Sequence, residues 1–178
     1  MRLTLTTIVL AVCALPVAGA ARGQNPVTNG FRFIEQRQAK NIVDAAEAMP
    51  ADKYGFKPTP AQMSFGDVVA HLITDGNDYL CSASSGQKAP ERGKFAGTDP
   101  KDKLVAALKD SFQFCQTVAA QMQDAQLGDS TDFVGSNKVT RGVATLITVA
   151  DWADHYSQMA IYLRLNGLLP PTAKKTSD

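Results

Sequence analysis

The sequence predicts an all-α fold, a four-helix bundle with long inter-helix loops. Three observations carry that expectation. Apolar residues recur near the helical period in four separate stretches; proline- and glycine-rich segments separate those stretches; and no alternating apolar–polar run of any length competes with them. With 178 residues, 44% hydrophobic and 20% charged, the chain is long enough to build one domain around a real core.

The first helix is read over 31–49, "FRFIEQRQAKNIVDAAEAM", with Phe31, Ile34, Ala39, Ile42, Val43, Ala46 and Met49 on one face and Pro50 ending it. "PADKYGFKPTPAQM" is too rich in proline for a helix and reads as a loop. Ser64, with Asp67 three residues on, is a near capping box that opens the second helix, which runs to about Ala83 with Phe65, Val68, Val69, Leu72, Ile73 and Leu80 inward. After the loop "SSGQKAPERGKFAGTDP", Thr98 or Asp99 caps a third helix with Pro100 in its first turn. Its stripe is Leu104, Val105, Leu108, Phe112, Cys115, Val118, Ala119 and Met122. "DAQLGDSTDFVGSNKV" reads as a third loop. The last helix spans about Thr140 to Asn166, with Gly167 as its C-terminal cap. The domain is expected over 25–171 and a disordered tail over 172–178.

The first residues read differently. Arg2, an apolar run from Leu3 to Val17 and small residues at Ala18 and Ala20 have the layout of a secretory signal, cleaved after about Ala20. Cys13 raises a lipoprotein alternative, but it lies within the apolar run and follows the bulky Val12. The expected location is periplasmic or secreted, with no transmembrane segment in the mature chain. In an exported protein, Cys81 and Cys115 remain as an even pair. Bridged, they would close a loop of about 35 residues, worth roughly 3–4 kcal/mol on the chain-entropy account; the other reading is two buried free thiols. A net charge of +1 without a Lys/Arg cluster argues against nucleic acid as a partner.

Candidate chemistry centres on the two histidines, His71 in the second helix and His155 in the fourth, with Asp151 one turn before His155. Imidazole and carboxylate are ligands for divalent metals, and three protein ligands leave a position open for water or substrate. Against that stands the ordinary reading, a polar i,i+4 pair on a helix surface. Asp75 and Asp78 are candidate general bases, again against a solvated helix face. Trp152, Tyr156 and Tyr162 are read as core and rim packing, and Met122 and Met159 as core filler. Arg141 and Arg164 are candidate contacts for an anionic ligand.

"MPADKYGFKPTPAQMSFGDVVAHLITDGNDYLC", followed downstream by "ADHYSQMAIYLRLNGLLPP", resembles the DinB superfamily, and within it an exported branch. The resemblance runs from about Phe31 to Pro171 and is most specific in "KYGFKPTP", the His71 helix and "HYSQMAIYLRLNG". It implies a four-helix bundle with a divalent metal, held by one His on the second helix and a His-x-x-x-His pair on the fourth. His71 and His155 match two of these positions; the third falls on Asp151, where the pattern has His. A His71–Asp151–His155 set accepts zinc, nickel, iron or manganese, and Asp is a harder ligand than the His it replaces. The activity implied is metal-dependent thiol transfer or isomerisation with a small thiol; hydrolysis is a second reaction open to such a metal site, and the alternative is a non-catalytic ligand-binding or stress-related bundle with a degenerate metal site. The substrate is a small molecule of unknown identity, and a homodimer through helical faces is compatible with the pattern.

Overall fold

A computed structural model describes residues 24–174; the signal-like segment, including Cys13, lies outside the described residues. Four helical rods form the bundle. They are α1 (Pro26–Ala48); a second rod built of α2 (Phe65–His71), a π-helical segment (Leu72–Tyr79) and α3 (Leu80–Ser85); α4 (Lys101–Gln121); and α5 (Arg141–Leu165). Among the described residues no helix is long and apolar enough to cross a membrane.

The first rod starts at Pro26, five residues before the apolar period becomes visible at Phe31. The cause is distant in sequence. The Asp124 carboxylate accepts hydrogen bonds from the Val27 and Thr28 amides and the Thr28 hydroxyl at 3.0, 2.8 and 2.9 Å, while the Asp124 amide donates to Asn25 at 2.9 Å. A carboxylate from the 3-10 turn that follows α4, Asp124–Gln126, thus satisfies free amides of α1 and complements its dipole. The second rod opens on the expected capping box, with the Asp67 amide on Ser64 Oγ and the Ser64 amide on Asp67 Oδ2, each at 3.0 Å. Gly66 and Gly97 let the helix start and the following loop touch, since a Cβ on Gly66 would lie 2.2 Å from the Gly97 carbonyl oxygen.

Two features depart from the periodic reading. The second helix is not α throughout: its middle is π-helical and contains Gly76 and the fully buried Asn77. The third loop contains a hairpin, β1 (Ser130–Asp132) and β2 (Lys138–Thr140), antiparallel, with Thr131 opposite Val139. Strands of three residues are too short to carry a period of two. The tail is ordered further than expected: Pro171–Ala173 makes a 3-10 turn, and the Thr172 amide donates to the Tyr156 hydroxyl at 3.1 Å. Residues 175–178 lie outside the described set.

Trp152 is the centre of the core. It is fully buried, stacked on Phe31 with centroids 5.6 Å apart and tilted against Phe112 at 5.9 Å. Tyr162, Met159 and Met122 are buried as expected. Cys81 of α3 and Cys115 of α4 are joined by a disulfide and have no exposed surface, so the second and third rods are cross-linked inside the core.

Candidate metal centre

His71 is the last residue of α2, and Asp151 and His155 stand one turn apart on α5, so two rods supply the three side chains. The structure brings them together. One ligand atom from each lies within 4.8 Å of the other two. His155 Nε2 is 3.4 Å from Asp151 Oδ1 and His71 Nε2 is 3.8 Å from the same oxygen, with the imidazole rings 4.7 Å apart in an edge-on arrangement. Asp151 and His155 are mostly covered, at 19% and 12% side-chain exposure, while His71 at 31% forms the open side.

The nitrogens facing away from the centre are held separately. His71 Nδ1 is 3.1 Å from Asp75 Oδ2. His155 Nδ1 is 3.2 Å from Gln158 Oε1; Gln158 Nε2 donates to the Tyr162 hydroxyl at 3.0 Å, which donates to the Met63 carbonyl at 2.9 Å. Because both partners of the Nδ1 atoms are acceptors, each neutral ring carries its proton on Nδ1. Both Nε2 lone pairs then point at the centre. Asp75 therefore sits on the outer side of His71, away from the point where the three ligand atoms meet. Asp78 is not in the site at all: it is paired with Arg92 at 3.1 Å, and burial raises its carboxyl above the usual range against the pull of that arginine. Arg141, read as a possible anion contact, is turned toward Asp129 at 3.4 Å.

Charge completes the picture. Burial pushes the Asp151 carboxyl up, but hydrogen bonds and charge from His155 and His71 prevail and hold it at about 2. His71 is raised, chiefly by its hydrogen bond to Asp151 against the effect of burial. Burial depresses His155, and Asp151 and Gln158 outweigh it so that it too is raised. The three groups form a trap for positive charge, for which protons and a divalent cation compete. Asp151 Oδ2 is buried and has no hydrogen-bond partner. An orphaned carboxylate oxygen beside two converging imidazole lone pairs fits a divalent cation, and the donor set, two nitrogens and one oxygen, suits zinc, nickel, iron or manganese. Gly76 belongs to the same construction. A Cβ there would lie 3.0 Å from Asp151 Oδ2, so glycine lets the π-helical segment close over the carboxylate.

Gln158 and Gly76 were not singled out from the sequence, and Tyr162 was read there only as packing. Gln158 had a readable signal, three residues after His155 and so on the same face; Gly76 had none before the π segment was seen.

The DinB superfamily profile matches residues 35–159, most of the chain and all three side chains of the centre. The chain belongs to the DinB superfamily. Among its relatives is the uncharacterized protein YjoA of Bacillus subtilis strain 168, 23% identical over 137 residues, which are 76% of this chain and 86% of that one. The crystal structure of YjoA superposes with a TM-score of 0.65 at 21% identity, covering 83% of this chain and 100% of that one. A DinB-like protein from Bacillus cereus ATCC 10987 superposes with a TM-score of 0.66 at 16% identity, covering 80% and 95%. At these identities the likeness concerns the fold, and the DinB bundle is the fold described above.

Proposed function

We propose that this DinB-superfamily chain is an exported, divalent-metal-dependent enzyme acting on a small molecule by thiol transfer or hydrolysis. His71, Asp151 and His155 hold the ion. The observation that carries the reading is the convergence of two imidazole Nε2 atoms on a carboxylate whose second oxygen is buried and unpartnered. A bound divalent ion supplies Lewis acidity, which acidifies a thiol or water at the position the three ligands leave open. The chain's own contribution is orientation. Asp75 and the Gln158–Tyr162–Met63 relay fix both ring tautomers, and the half-exposed His71 side admits the substrate. Export is supported by the signal-like segment from Arg2 to Ala20 and by the bonded, buried Cys81–Cys115 pair, which suits an oxidising compartment.

A second reading has its own observation. Asp151 stands where the superfamily pattern has His, and its Oδ1 lies near both imidazole Nε2 atoms, so that when the rings are protonated the three groups satisfy much of one another's charge with no metal. On that reading the bundle binds ligands without turnover. Elemental mass spectrometry on untagged protein separates the two. One equivalent of metal, lost in a His71→Ala/His155→Ala variant that still folds, is the expected result. No metal in either protein after addition of zinc, nickel or manganese favours the scaffold reading.

A further inference from the structure

The hairpin that interrupts the third loop packs beside the second rod and α5, and its tip is apolar and ordered. Phe133 and Val134 occupy the turn, and Val134 is 63% exposed. The turn is closed by the Phe133 amide on the Asn137 carbonyl at 2.9 Å and by Asn137 Nδ2 on the Val134 carbonyl at 3.0 Å, so these side chains are held rather than trailing. Across from them stands Tyr79, the last residue of the π segment, with its ring 5.8 Å from that of Phe133 and tilted by 45°. Between the two elements lies a cleft of about 510 Å³ lined by Asp75, Tyr79, Asp132, Phe133, Val134 and Gly135. That is within the usual size range of small-molecule sites.

Two properties of this cleft point to an occupant. Its charged lining is acidic: Asp75 and Asp132 are both well exposed, Asp75 beside His71 Nδ1 at 3.1 Å and Asp132 paired with Lys138 at 3.0 Å, and no basic residue lines the cleft itself. Its remaining large surfaces are two aromatic rings and an isopropyl group. Carboxylates combined with aromatic faces recognise organic cations, through charge on one side and the ring quadrupole on the other, and repel anions of the same shape. The cleft lies on the outer side of the candidate metal centre: the Asp75 that lines it is hydrogen-bonded to His71 Nδ1, the nitrogen turned away from Asp151.

We propose that the cleft lined by Asp75, Tyr79, Asp132 and Phe133 is a ligand site of its own on the outer side of His71, and that it selects small organic cations with an aromatic or branched apolar body. The binding preference stands on the cleft itself and does not depend on the metal-enzyme reading. Asp75 then has two neighbours, the imidazole of His71 and the cationic head of the ligand, and the apolar body lies against the hairpin tip. The selectivity device is the hairpin, which the π segment meets at Tyr79.

The test is calorimetric titration of the purified protein, metal-free and zinc-loaded, with phenethylamine and with phenylacetate, an anion of nearly the same size. Phenethylamine is expected to bind at least tenfold tighter than phenylacetate. Phe133→Ala and Tyr79→Ala should each weaken it fivefold or more, and Asp132→Lys should narrow the amine preference. Circular dichroism checks that each variant is folded, and zinc content is measured on every sample. Equal affinity for the two probes, no heat with phenethylamine at millimolar concentration, or affinity unmoved by both aromatic variants overturns the proposal. The two readings fail separately. Phe133-dependent amine binding in a protein that takes up no zinc leaves the cleft standing and removes the metal enzyme. Zinc uptake without amine binding does the reverse.

Discussion

Two polar clusters sit one residue apart on the same two rods, and they are finished differently. Asn77 and Trp152 face inward: Trp152 Nε1 donates to Asn77 Oδ1 at 2.8 Å, and Asn77 Nδ2 donates to Ser111 Oγ at 2.8 Å, which itself donates to the Leu108 carbonyl at 2.9 Å. Every side-chain atom able to bond strongly has a partner, and all three residues are fully buried. Gly76 and Asp151, their immediate neighbours, face the other way, and there an oxygen is left over. A complete network specifies a core, whereas an incomplete one, partly exposed and lined by converging lone pairs, is a place for a ligand. The difference between structural and functional polarity lies in which face of the rod a residue takes.

The largest effect should come from breaking the complete cluster. Asn77→Ala leaves the Trp152 indole N–H and the Ser111 hydroxyl short of a partner and opens a small cavity, a loss of about 2–4 kcal/mol. Chemical denaturation at neutral pH measures it. A loss below about 1 kcal/mol would mean that water enters the cluster, and the contrast with the metal centre would then be one of degree.

Glu35 sharpens the comparison from the other side, because it is incomplete yet enclosed. It is 1% exposed, on α1, with Oε1 unpartnered. Burial raises its carboxyl to about 7, against a hydrogen bond with Gln116 that lowers it. Here the folded form holds the proton more tightly than the unfolded chain. The protonated state's stability is therefore fully present below the unfolded value near 4.5 and is lost as pH rises through about 7. Glu35→Gln, which keeps the shape and removes the charge, should match the parent protein at pH 5 and exceed it by up to about 3 kcal/mol at pH 9. Parallel stability curves for the two proteins would show that Oε1 is hydrated.

Much of this was legible in the residues. The four rods follow from apolar period and punctuation, the capping box from Ser64 and Asp67, and the three candidate ligands from the fact that only two histidines exist and one has Asp a turn away. What was not legible depends on distant partners. Asp124 caps α1 from 96 residues away, and the hairpin strands are too short to show a period. The π segment is set by where Asn77 must reach Trp152 and Ser111, a tertiary requirement with no local composition. Spacing placed Asp75 one turn from His71, on an exposed face, but could not say which ring nitrogen it meets.

The relay behind His155 gives the third effect. Gln158→Ala removes the acceptor that holds the Nδ1 proton, so the ring loses its fixed tautomer and orientation. Zinc affinity should fall about tenfold, equivalent to about 1.4 kcal/mol, with little change in stability because Gln158 is only partly buried. Tyr162→Phe, which keeps the ring and breaks only the link between Gln158 and Met63, should fall between Gln158→Ala and the parent. Competition with a zinc chelator reads both, and unchanged affinity in Gln158→Ala would show that packing alone orients the imidazole.

The smallest change tests the boundary between the two clusters, because Gly76 precedes Asn77 and covers Asp151. In an ordinary helix interior Gly→Ala gains up to about 1 kcal/mol, since alanine gives up less backbone freedom. Here the new methyl would lie 3.0 Å from Asp151 Oδ2 and 3.4 Å from a Leu72 methyl, and the carboxylate has to move by a few tenths of an ångström. Gly76→Ala should therefore be at least as stable as the parent by thermal denaturation and bind zinc severalfold more weakly, with the two readouts moving in opposite directions. A variant that loses stability and keeps its zinc affinity would show that the helix, rather than Asp151, gives way, and that glycine is there for the π segment and not for the metal.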